Sequence, residues 1–560
     1  MRLDARLREH VDRRPDDASI ILQQAGEPDL AITYAKLWSG AERYARTYWG
    51  RGVKPGSAII LILQHGVDLV YGFWGAVIAG VIPSIMPFLT EKLSPEQYRN
   101  DLKALIGVTR PRAVVTYPQF EAQVREAIGG DAEVEIILSS EATQDASWPP
   151  PGSIGNSLAS PNDIVLLQHS SGTTGLQKGV ALTHQAVFNQ LLAYGGALGL
   201  REDDVVVSWL PLYHDMGLIA GFLMPILSGI PLVLSSPFDW VRAPWRLLHA
   251  VSHYRGTLSW LPNFAYNFMS QKIRDRDVAG IDLSSWRAVI NCSEPVHWES
   301  HRAFHQRFGA YGLMWNALQT CYAMAENVFG VTQSDVGGEP AVEDLDRAAF
   351  MEERVARAVQ PGRPAIRMMS SGRPISNTQV RILDDGGSAL PDGTIGEVAL
   401  QSNCMLAGYY HRPDADKAAF HDGWYLTGDY GYLSGGELYV AGRKKDLIIV
   451  GGKNIYPADL EALSYEVPGI HAGRSVAFGV FNAELGTEDV YMVAETDSDN
   501  ESRQNELAEL LRQHVTKNSA VALRHVRVVG PKWILKTSSG KTARAANRDK
   551  LLRELAGSDP

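Results

Sequence analysis

Residues 164–179 read IVLLQHSSGTTGLQKG, a short apolar run followed at once by a loop of hydroxyl side chains and glycines. The apolar part, Ile164-Val165-Leu166-Leu167, has the pattern of a buried strand. In the loop, glycines let backbone N–H groups turn towards an anion, and the hydroxyls and Lys178 add further donors. The stretch therefore predicts a phosphate-binding loop directly after a strand, with an ordinary Gly/Ser loop as the alternative.

Three common motifs of phosphate and nucleophile sites are absent from this sequence. A Walker loop needs a glycine five residues before Gly-Lys-Ser/Thr, but Leu535 stands at that place before Gly540-Lys541-Thr542. The chain also has neither a G-x-G-x-x-G dinucleotide fingerprint nor a G-x-S-x-G nucleophile elbow. The phosphate chemistry is therefore expected to be of another kind.

Length and composition narrow the class of protein. A chain of 560 residues is longer than one hydrophobic core can serve, so two or more domains are expected. Hydrophobic residues make up 45% and charged residues 21%, as in an ordinary globular protein, and the net charge of −10 argues against nucleic-acid binding. The three cysteines are far apart and form no C-x-x-C, which excludes a disulfide scaffold and a cysteine-based zinc site.

The chain is expected to be a soluble cytoplasmic protein without a membrane span. Its first residues, MRLDAR, are charged and contain no apolar segment of a secretory signal. Residues 218–236 carry no charge, but Pro225, Gly229 and Pro231 divide them. We therefore predict a buried helix followed by a short strand there.

Strand and helix patterns alternate through the first two-thirds of the chain. The apolar run at residues 58–63 predicts a parallel strand covered on both faces, and residues 67–79 follow with helical spacing. This alternation predicts mostly parallel sheets with helices on both sides. After residue 370 short strands lie between Gly, Pro and Asp turns, and a smaller α+β unit follows the charged junction at 442–446.

Several motifs together resemble one family, the AMP-forming adenylating superfamily of acyl-CoA synthetases, luciferases and peptide-synthetase adenylation domains. Besides the loop at 170–179, they are Asn291-Cys292-Ser293-Glu294-Pro295, Tyr322-Ala323-Met324-Ala325-Glu326, Tyr425-Leu426-Thr427-Gly428-Asp429, Arg443 to Lys445 and the segment 531–541. They stand in the order of the family, and the resemblance extends from Thr33-Tyr34 to Lys541. Taken singly, most of these motifs are equally typical of turns or solvated charge runs.

The resemblance implies an α/β fold and a domain organisation. A large N-terminal domain, residues 1–442, would hold two mostly parallel βαβ-type sheets and a small β-rich subdomain. Residues 443–445 would form a hinge at Lys445, and residues 446–560 a small mobile α+β domain. That domain would carry the catalytic lysine.

It also implies a binding site for ATP and Mg²⁺. Thr173, Thr174 and Lys178 would hold the β- and γ-phosphates, the loop 291–295 would pack on adenine, and Asp429 would bind the ribose hydroxyls. The residues implied to bind the nucleotide are Ser171, Gly172, Thr173, Thr174, Gly175, Lys178, Ser293, Glu294, Pro295, Tyr322, Glu326, Asp429, Arg443 and Lys541. Glu326 would bind the metal, because a carboxylate suits a hard cation that bridges phosphate oxygens.

Lys541 is the implied catalytic residue, together with Glu326 and Thr174. Attack of a carboxylate on the α-phosphorus gathers negative charge on oxygen atoms, and a fixed ammonium stabilises that charge most in the transition state. Lys536 is close enough in sequence to be a rival for this role.

Further motifs resemble fatty acyl-AMP ligases more than other branches of the family. They are His214-Asp215-Met216-Gly217-Leu218, Pro262-Asn263-Phe264-Ala265-Tyr266 and the stretch 446–461. Residues 338–360 lie where those ligases carry an insertion, although a variable surface loop is the alternative. This branch implies that a fatty acid is converted to acyl-AMP and that the acyl group then passes to the phosphopantetheine thiol of an acyl carrier protein rather than to free CoA.

The acyl pocket is expected among aromatic and apolar side chains, which suit a hydrophobic acid. The candidates are Trp209, His214, Trp260, Asn263, Phe264 and Ala323. Plain core packing is the alternative for each aromatic ring, and His214 is expected to position the acid rather than move a proton. Ala323 stands where the family usually has glycine, and Gln177 where it usually has proline.

Two other functions remain open, and we expect a monomer in each case. One is an acyl-CoA or aryl-CoA synthetase with the same adenylation step. The other is a non-catalytic scaffold that binds a nucleotide or a carrier protein, which the presence of Thr174, Glu326, Asp429 and Lys541 argues against.

Overall fold

Two large sheets with helices on their faces form most of the molecule. The computed structural model describes residues 1–87, 95–129, 133–142, 160–169, 178–450, 453–482, 487–519, 521–537 and 540–557. Seven strands of the described chain make the first sheet, in the spatial order Gly408–Tyr409, Gly179–Thr183, Ile164–His169, Ile82–Ile85, Ala58–Ile62, Ala113–Thr116 and Glu135–Leu138. Every residue of Ala58–Ile62 is buried, as expected for a strand with helices on both faces.

Nine described strands make the second sheet. Their spatial order is Arg373–Pro374, Gly330–Gln333, Leu318–Ala323, Ala288–Asn291, Leu258–Leu261, Val206–Ser208, Leu232–Ser235, Ala18–Gln23 and Leu30–Thr33. The six strands from Leu318–Ala323 to Ala18–Gln23 are parallel to their neighbours, and antiparallel pairs close both edges. The carboxyl ends of the parallel strands therefore meet at one edge, where ligands of open α/β sheets bind.

Helices cover these sheets. The α-helices are Leu3–Arg13, Tyr34–Gly50, Val67–Ile78, Pro95–Thr109, Glu121–Ile128, His184–Leu198, Met224–Ser228, Pro237–Arg242, Trp245–Tyr254, Asn263–Lys272, Trp298–Phe308, Pro413–Ala419, Pro457–Ser464, Glu501–Ser519 and Arg544–Ala556. Tyr34–Gly50 and Val67–Ile78 cross closely at Gly75, where a Cβ atom would lie 2.6 Å from the Tyr44 Cβ. A larger residue at this position would push the two helices apart.

A β-rich part follows the second sheet. Its strands are Thr378–Leu383, Gly396–Ser402, Phe420–His421, Trp424–Ser434 and Glu437–Arg443, and all of their pairings are antiparallel. A turn of 3₁₀-helix, Lys444–Asp446, links this part to the C-terminal segment. Trp424–Ser434 and Glu437–Arg443 bring Asp429 and Arg443 opposite each other as paired residues.

The C-terminal segment has a hydrophobic core of its own. It contains the hairpin Ile448–Val450 with Lys453–Ile455 and a three-stranded sheet of Ser475–Asn482, Thr487–Glu495 and Leu523–Val529. Apolar residues of the helix Glu501–Ser519, including Leu507 and Leu511, are buried in that core. The boundaries at residues 442 and 445 stay a prediction.

The polar stretch 338–360 is structured and touches the C-terminal segment. Its strand Val342–Asp346 pairs with Ala365–Met369, and a π-helical turn, Ala349–Glu353, follows it. Phe350 in this turn lies with its ring centroid 5.8 Å from that of Tyr456. The segment therefore joins the two parts of the molecule, which its sequence alone did not show.

Replacement of Asp459 by asparagine tests a buried carboxyl group at this contact. Burial raises the pKa of Asp459 from an ordinary value of 3.8 to about 7. The positive charge of Arg347 lowers this pKa, and the negative charge of Glu461 raises it. Because the folded-state pKa lies above the unfolded value, the neutral carboxyl is favoured on folding, and this contribution is lost as the pH rises from about 4 to about 7. This difference in pKa means that ionisation of Asp459 lowers the free energy of unfolding by at most about 4 kcal/mol.

We therefore expect Asp459→Asn to raise the apparent melting temperature relative to wild type at pH 8 by several degrees. At pH 5 the rise should be less than half as large, because only about one of the roughly three pH units between the two pKa values has been passed. Asp422→Asn, at a carboxylate whose side chain is 90% exposed, is the matched control and should show no such change. An equal effect of Asp459→Asn at both pH values would contradict the prediction.

The predicted fold class is confirmed. The expected strands at 58–63 and 164–167 are present, and residues 218–236 contain helical turns followed by the strand Leu232–Ser235. No helix in the described ranges is long and apolar enough to cross a membrane. The strands Ala18–Gln23 and Leu30–Thr33, which extend the second sheet, were not predicted.

Candidate active site

A cavity of about 700 Å³ lies between the N-terminal part and the C-terminal segment. Side chains from both parts line it. Glu326, Arg443, His214 and Asp215 come from the N-terminal side, and Lys541 comes from the loop that precedes the last helix. The arrangement brings most of the described charged residues of the sequence motifs to one end of the cavity.

Glu326 lies in the turn that follows the strand Leu318–Ala323. Burial raises the pKa of its carboxyl group, and a hydrogen bond from Tyr409 opposes that effect. The Tyr409 hydroxyl donates to Glu326 Oε1 at 3.0 Å, and the Lys178 ammonium lies 4.7 Å from the centre of the Tyr409 ring. Lys178 thus lies over the ring of Tyr409, and Glu326 lies at its hydroxyl. The sequence motifs did not reveal this arrangement.

The other members of the predicted phosphate loop, Ser171, Gly172, Thr173, Thr174 and Gly175, lie outside the described residues. Their assignment stays a prediction.

Asp429 lies beside Tyr322 and Arg443. The Tyr322 hydroxyl donates to Asp429 Oδ2 at 2.6 Å, and Arg443 Nε lies 3.6 Å from Asp429 Oδ1. Burial raises the pKa of the Asp429 carboxyl, and the Arg443 guanidinium opposes this. A half-buried carboxylate with one oxygen beside a cation can accept further hydrogen bonds from vicinal hydroxyls.

The loop after the strand Ala288–Asn291 is held by side-chain hydrogen bonds. Ser293, with φ of 71°, lines the cavity in a left-handed conformation that a non-glycine residue adopts rarely. The Glu294 carboxylate accepts from the Phe264 backbone N–H at 2.9 Å and so binds the first turn of the helix Asn263–Lys272. Glu294 and Pro295 do not line the cavity, so their predicted contact with the nucleotide remains a prediction.

Lys541 lies at the charged end of the cavity. Its ammonium acts on the pKa values of Asp215 and His214, both of which line the same cavity. Burial lowers the pKa of His214 to about 3, and the positive charge of Lys541 makes a smaller contribution in the same direction. The imidazole is therefore neutral at pH 7. That state agrees with a positioning role for His214 rather than proton transfer.

Lys536, the rival lysine, also lines the cavity but has other partners. Its Nζ donates to the Gly473 carbonyl at 3.0 Å and lies 5.8 Å from the centre of the Phe264 ring. The backbone bonds that shape this loop run between Thr537 and Lys541. Because Lys536 is bound elsewhere, we keep Lys541 as the predicted catalytic lysine.

The other end of the cavity is aromatic. Trp209 and Trp240 are stacked with ring centroids 3.6 Å apart and planes at 3°. The Phe264 ring meets both of them edge-on. Trp209, Phe264 and Ala323 were predicted to line this cavity and do so, whereas the lining residues Trp240, Phe238 and Phe268 were missed.

Two predicted acyl-site residues lie in the core instead. Trp260 is 1% exposed, and its Nε1 donates to the Tyr194 hydroxyl at 2.8 Å. Asn263 accepts from Asn291 Nδ2 at 2.9 Å beneath the loop at Ser293. Neither side chain lines the cavity, because its polar atoms are turned towards these buried partners.

The metal and hinge predictions concern Glu326 and Lys445. Among the described residues no three His, Cys, Asp or Glu side chains form a metal cluster. Glu326 as the residue that would hold Mg²⁺ stays a prediction. Lys445 lies exposed in the turn Lys444–Asp446, between the two parts of the chain, and its role as hinge stays a prediction.

Comparisons with known proteins show which family the chain resembles. FadD25 of Mycobacterium tuberculosis, which carries the name of a fatty-acid–CoA ligase, is 30% identical over 583 residues, with 96% of this chain and 95% of that protein covered. JamA of Moorena producens, named a medium-chain-fatty-acid–[acyl-carrier-protein] ligase, is 30% identical over 557 residues, with 94% and 91% covered.

A solved structure from a study of fatty acyl-adenylate ligases of E. coli and L. pneumophila superposes with a TM-score of 0.90 at 27% identity, covering 100% of this chain and 99% of that one. The family model described as AMP-binding enzyme matches residues 7–410. The chain therefore belongs to the AMP-binding enzyme family.

Proposed function

We propose that this enzyme activates a fatty or related hydrophobic carboxylic acid with ATP and then transfers the acyl group to the phosphopantetheine thiol of an acyl carrier protein. One observation carries the proposal. A single cavity is lined by Lys541, Glu326 and Arg443 and by the stacked rings of Trp209 and Trp240, and the Asp429–Tyr322 pair lies beside Arg443. Such a cavity accepts a nucleotide and a hydrophobic acid side by side.

In the first step the acid carboxylate attacks the α-phosphorus of ATP. A carboxyl O–P bond forms, the bond between the α-phosphorus and the bridging oxygen breaks, and pyrophosphate leaves. Lys541 would stabilise the charge that develops on the phosphate oxygens. Asp429 would hold the ribose, and Tyr322 would stack on adenine.

Glu326 would hold Mg²⁺ together with phosphate oxygens. The ion would neutralise charge on the phosphates, as it does in other nucleotide enzymes. A carboxylate at the charged end of the cavity fits this role, and Tyr409 orients it.

Between the two steps the C-terminal segment would turn about Lys445. That motion would withdraw Lys541 from the cavity and open a path for the thiol. Hinges of this kind lie in short polar connections that absorb a change of backbone conformation.

The acceptor of the acyl group is either a carrier-protein thiol or free CoA. JamA carries the name of a carrier-protein ligase and supports a protein-bound thiol, whereas the name of FadD25 supports CoA as the second candidate. The purified enzyme should be given ATP, Mg²⁺ and dodecanoate with either holo carrier protein or free CoA. We expect acyl transfer to the carrier protein and little acyl-CoA.

Rapid acyl-CoA formation would overturn the carrier assignment and leave adenylation intact. Adenylation itself is tested by ATP–pyrophosphate exchange across a panel of acids. Absence of exchange with every acid would favour a non-catalytic scaffold.

A further inference from the structure

Tyr409 contacts both Lys178 and Glu326, the two charged residues predicted to hold phosphate and metal. Its hydroxyl donates to Glu326 Oε1 at 3.0 Å, and the Lys178 ammonium lies 4.7 Å from its ring centre. The side chain is 5% exposed, so its position is fixed by packing. Both charged groups therefore contact the Tyr409 side chain, one at its hydroxyl and the other at its ring.

The backbone around Tyr409 connects the same two sites. The Leu406 N–H donates to the Glu326 carbonyl at 2.8 Å. The strand Gly408–Tyr409 pairs with Gly179–Thr183, which begins directly after Lys178, and Tyr409 lies opposite Val180. A displacement of this segment would therefore move Glu326 and the strand that begins next to Lys178 together.

A second tyrosine orients the hydroxyl. The Tyr425 hydroxyl lies 2.9 Å from that of Tyr409 and is buried as well. With Tyr409 donating to the carboxylate, Tyr425 supplies the hydrogen for the bond between the two hydroxyls. The chain of bonds therefore runs from Tyr425 through Tyr409 to Glu326.

We infer that Tyr409 is a positioning residue that keeps the Lys178 ammonium and the Glu326 carboxylate apart, so that each remains available to phosphate and metal. The inference rests on the proposed function of those two residues. A half-buried ammonium and carboxylate in direct contact would form a strong pair that competes with the substrate. The phenol replaces that pair with a hydrogen bond to the carboxylate and a cation–π contact with the ammonium.

The test measures binding rather than turnover. Titration calorimetry with α,β-methylene-ATP and Mg²⁺ reports on the phosphate end, because the analogue cannot react at the bond that breaks. AMP, which lacks the β- and γ-phosphates, reports on the rest of the site. We expect Tyr409→Leu to weaken binding of the Mg²⁺ analogue about tenfold or more, and Tyr409→Phe a few-fold, since phenylalanine keeps the ring but loses the hydroxyl.

AMP affinity should stay within about twofold of wild type in both variants. Tyr432→Phe, which removes a hydroxyl that donates to Glu343 at 2.9 Å in the β-rich part, is the matched control and should change neither affinity. On a Glu326→Gln background, Tyr409→Phe should have little further effect, because its hydroxyl acts through the carboxylate.

Unchanged affinity of Tyr409→Leu for the Mg²⁺ analogue would overturn the inference, as would an equal loss of AMP binding. If Tyr409→Leu does not fold, Tyr409→Phe decides alone, and wild-type affinity for the analogue would overturn the inference. Failure of the wild-type enzyme to bind the analogue would instead count against the proposed function.

Discussion

Replacement of Lys541 by alanine is expected to slow formation of the acyl adenylate by about 10²–10³-fold. In the structure this residue lines the charged end of the cavity near His214 and Asp215. We propose that its ammonium stabilises the charge that develops on the phosphate oxygens in the transition state. The effect should appear in ATP–pyrophosphate exchange and in trapping of the adenylate with hydroxylamine.

The second half-reaction provides the internal control. When the acyl adenylate is supplied ready-made, Lys541→Ala should transfer its acyl group to the thiol at a rate close to wild type. Lys536→Ala should lose much less adenylation activity, because Lys536 Nζ is bound to the Gly473 carbonyl. Full adenylation activity in Lys541→Ala would refute the mechanism, and a larger loss in Lys536→Ala would transfer the role to that lysine.

Replacement of Asp429 by alanine should lower kcat/KM for ATP by about 100-fold or more, since hydrogen bonds to a charged group contribute about 1.5–3 kcal/mol each. The wild-type enzyme should use ATP better than 2′-deoxy-ATP, because one of these bonds is then missing. In Asp429→Ala that preference should disappear. The ratio of kcat/KM for the two nucleotides is the measurement.

Tyr322→Phe is the control for this prediction. It removes the 2.6 Å hydrogen bond to Asp429 Oδ2 and leaves the carboxylate in place. We expect a loss of a few-fold, with the preference for the 2′-hydroxyl retained. An Asp429→Ala enzyme that still discriminates between the two nucleotides would show that the ribose is bound elsewhere.

The sequence predicted those parts of the fold that local pattern controls. The apolar run at 58–63 could only be a strand covered on both faces, and it is. The strand Ala18–Gln23 was not predicted, because its place in the second sheet depends on a partner more than 200 residues away, Leu232–Ser235. Leu30–Thr33 pairs in turn with Ala18–Gln23. Pairing across such distances leaves no local signature.

The site shows the same division. Glu326, Asp429 and Lys541 were predicted because each stands in a motif that resembles the family, and their roles stay predictions. Trp260 was misassigned because Leu258–Leu261 is buried throughout, and an apolar strand does not reveal which side chains meet a cavity and which meet the core. Tyr409 carried no motif, and only the folded chain brings it to Glu326.

The hydrogen bond from the Phe264 backbone N–H to Glu294 has a consequence for redesign. It ties the loop at Ser293, which is predicted to pack on adenine, to the helix Asn263–Lys272, which supplies Phe264 and Phe268 to the cavity wall. In the proposed function, a change in the first turn of that helix would therefore affect both the acid site and the nucleotide site. Efforts to alter chain-length preference should begin at Phe268, one turn further on, where the wall can be reshaped without loosening the grip on adenine.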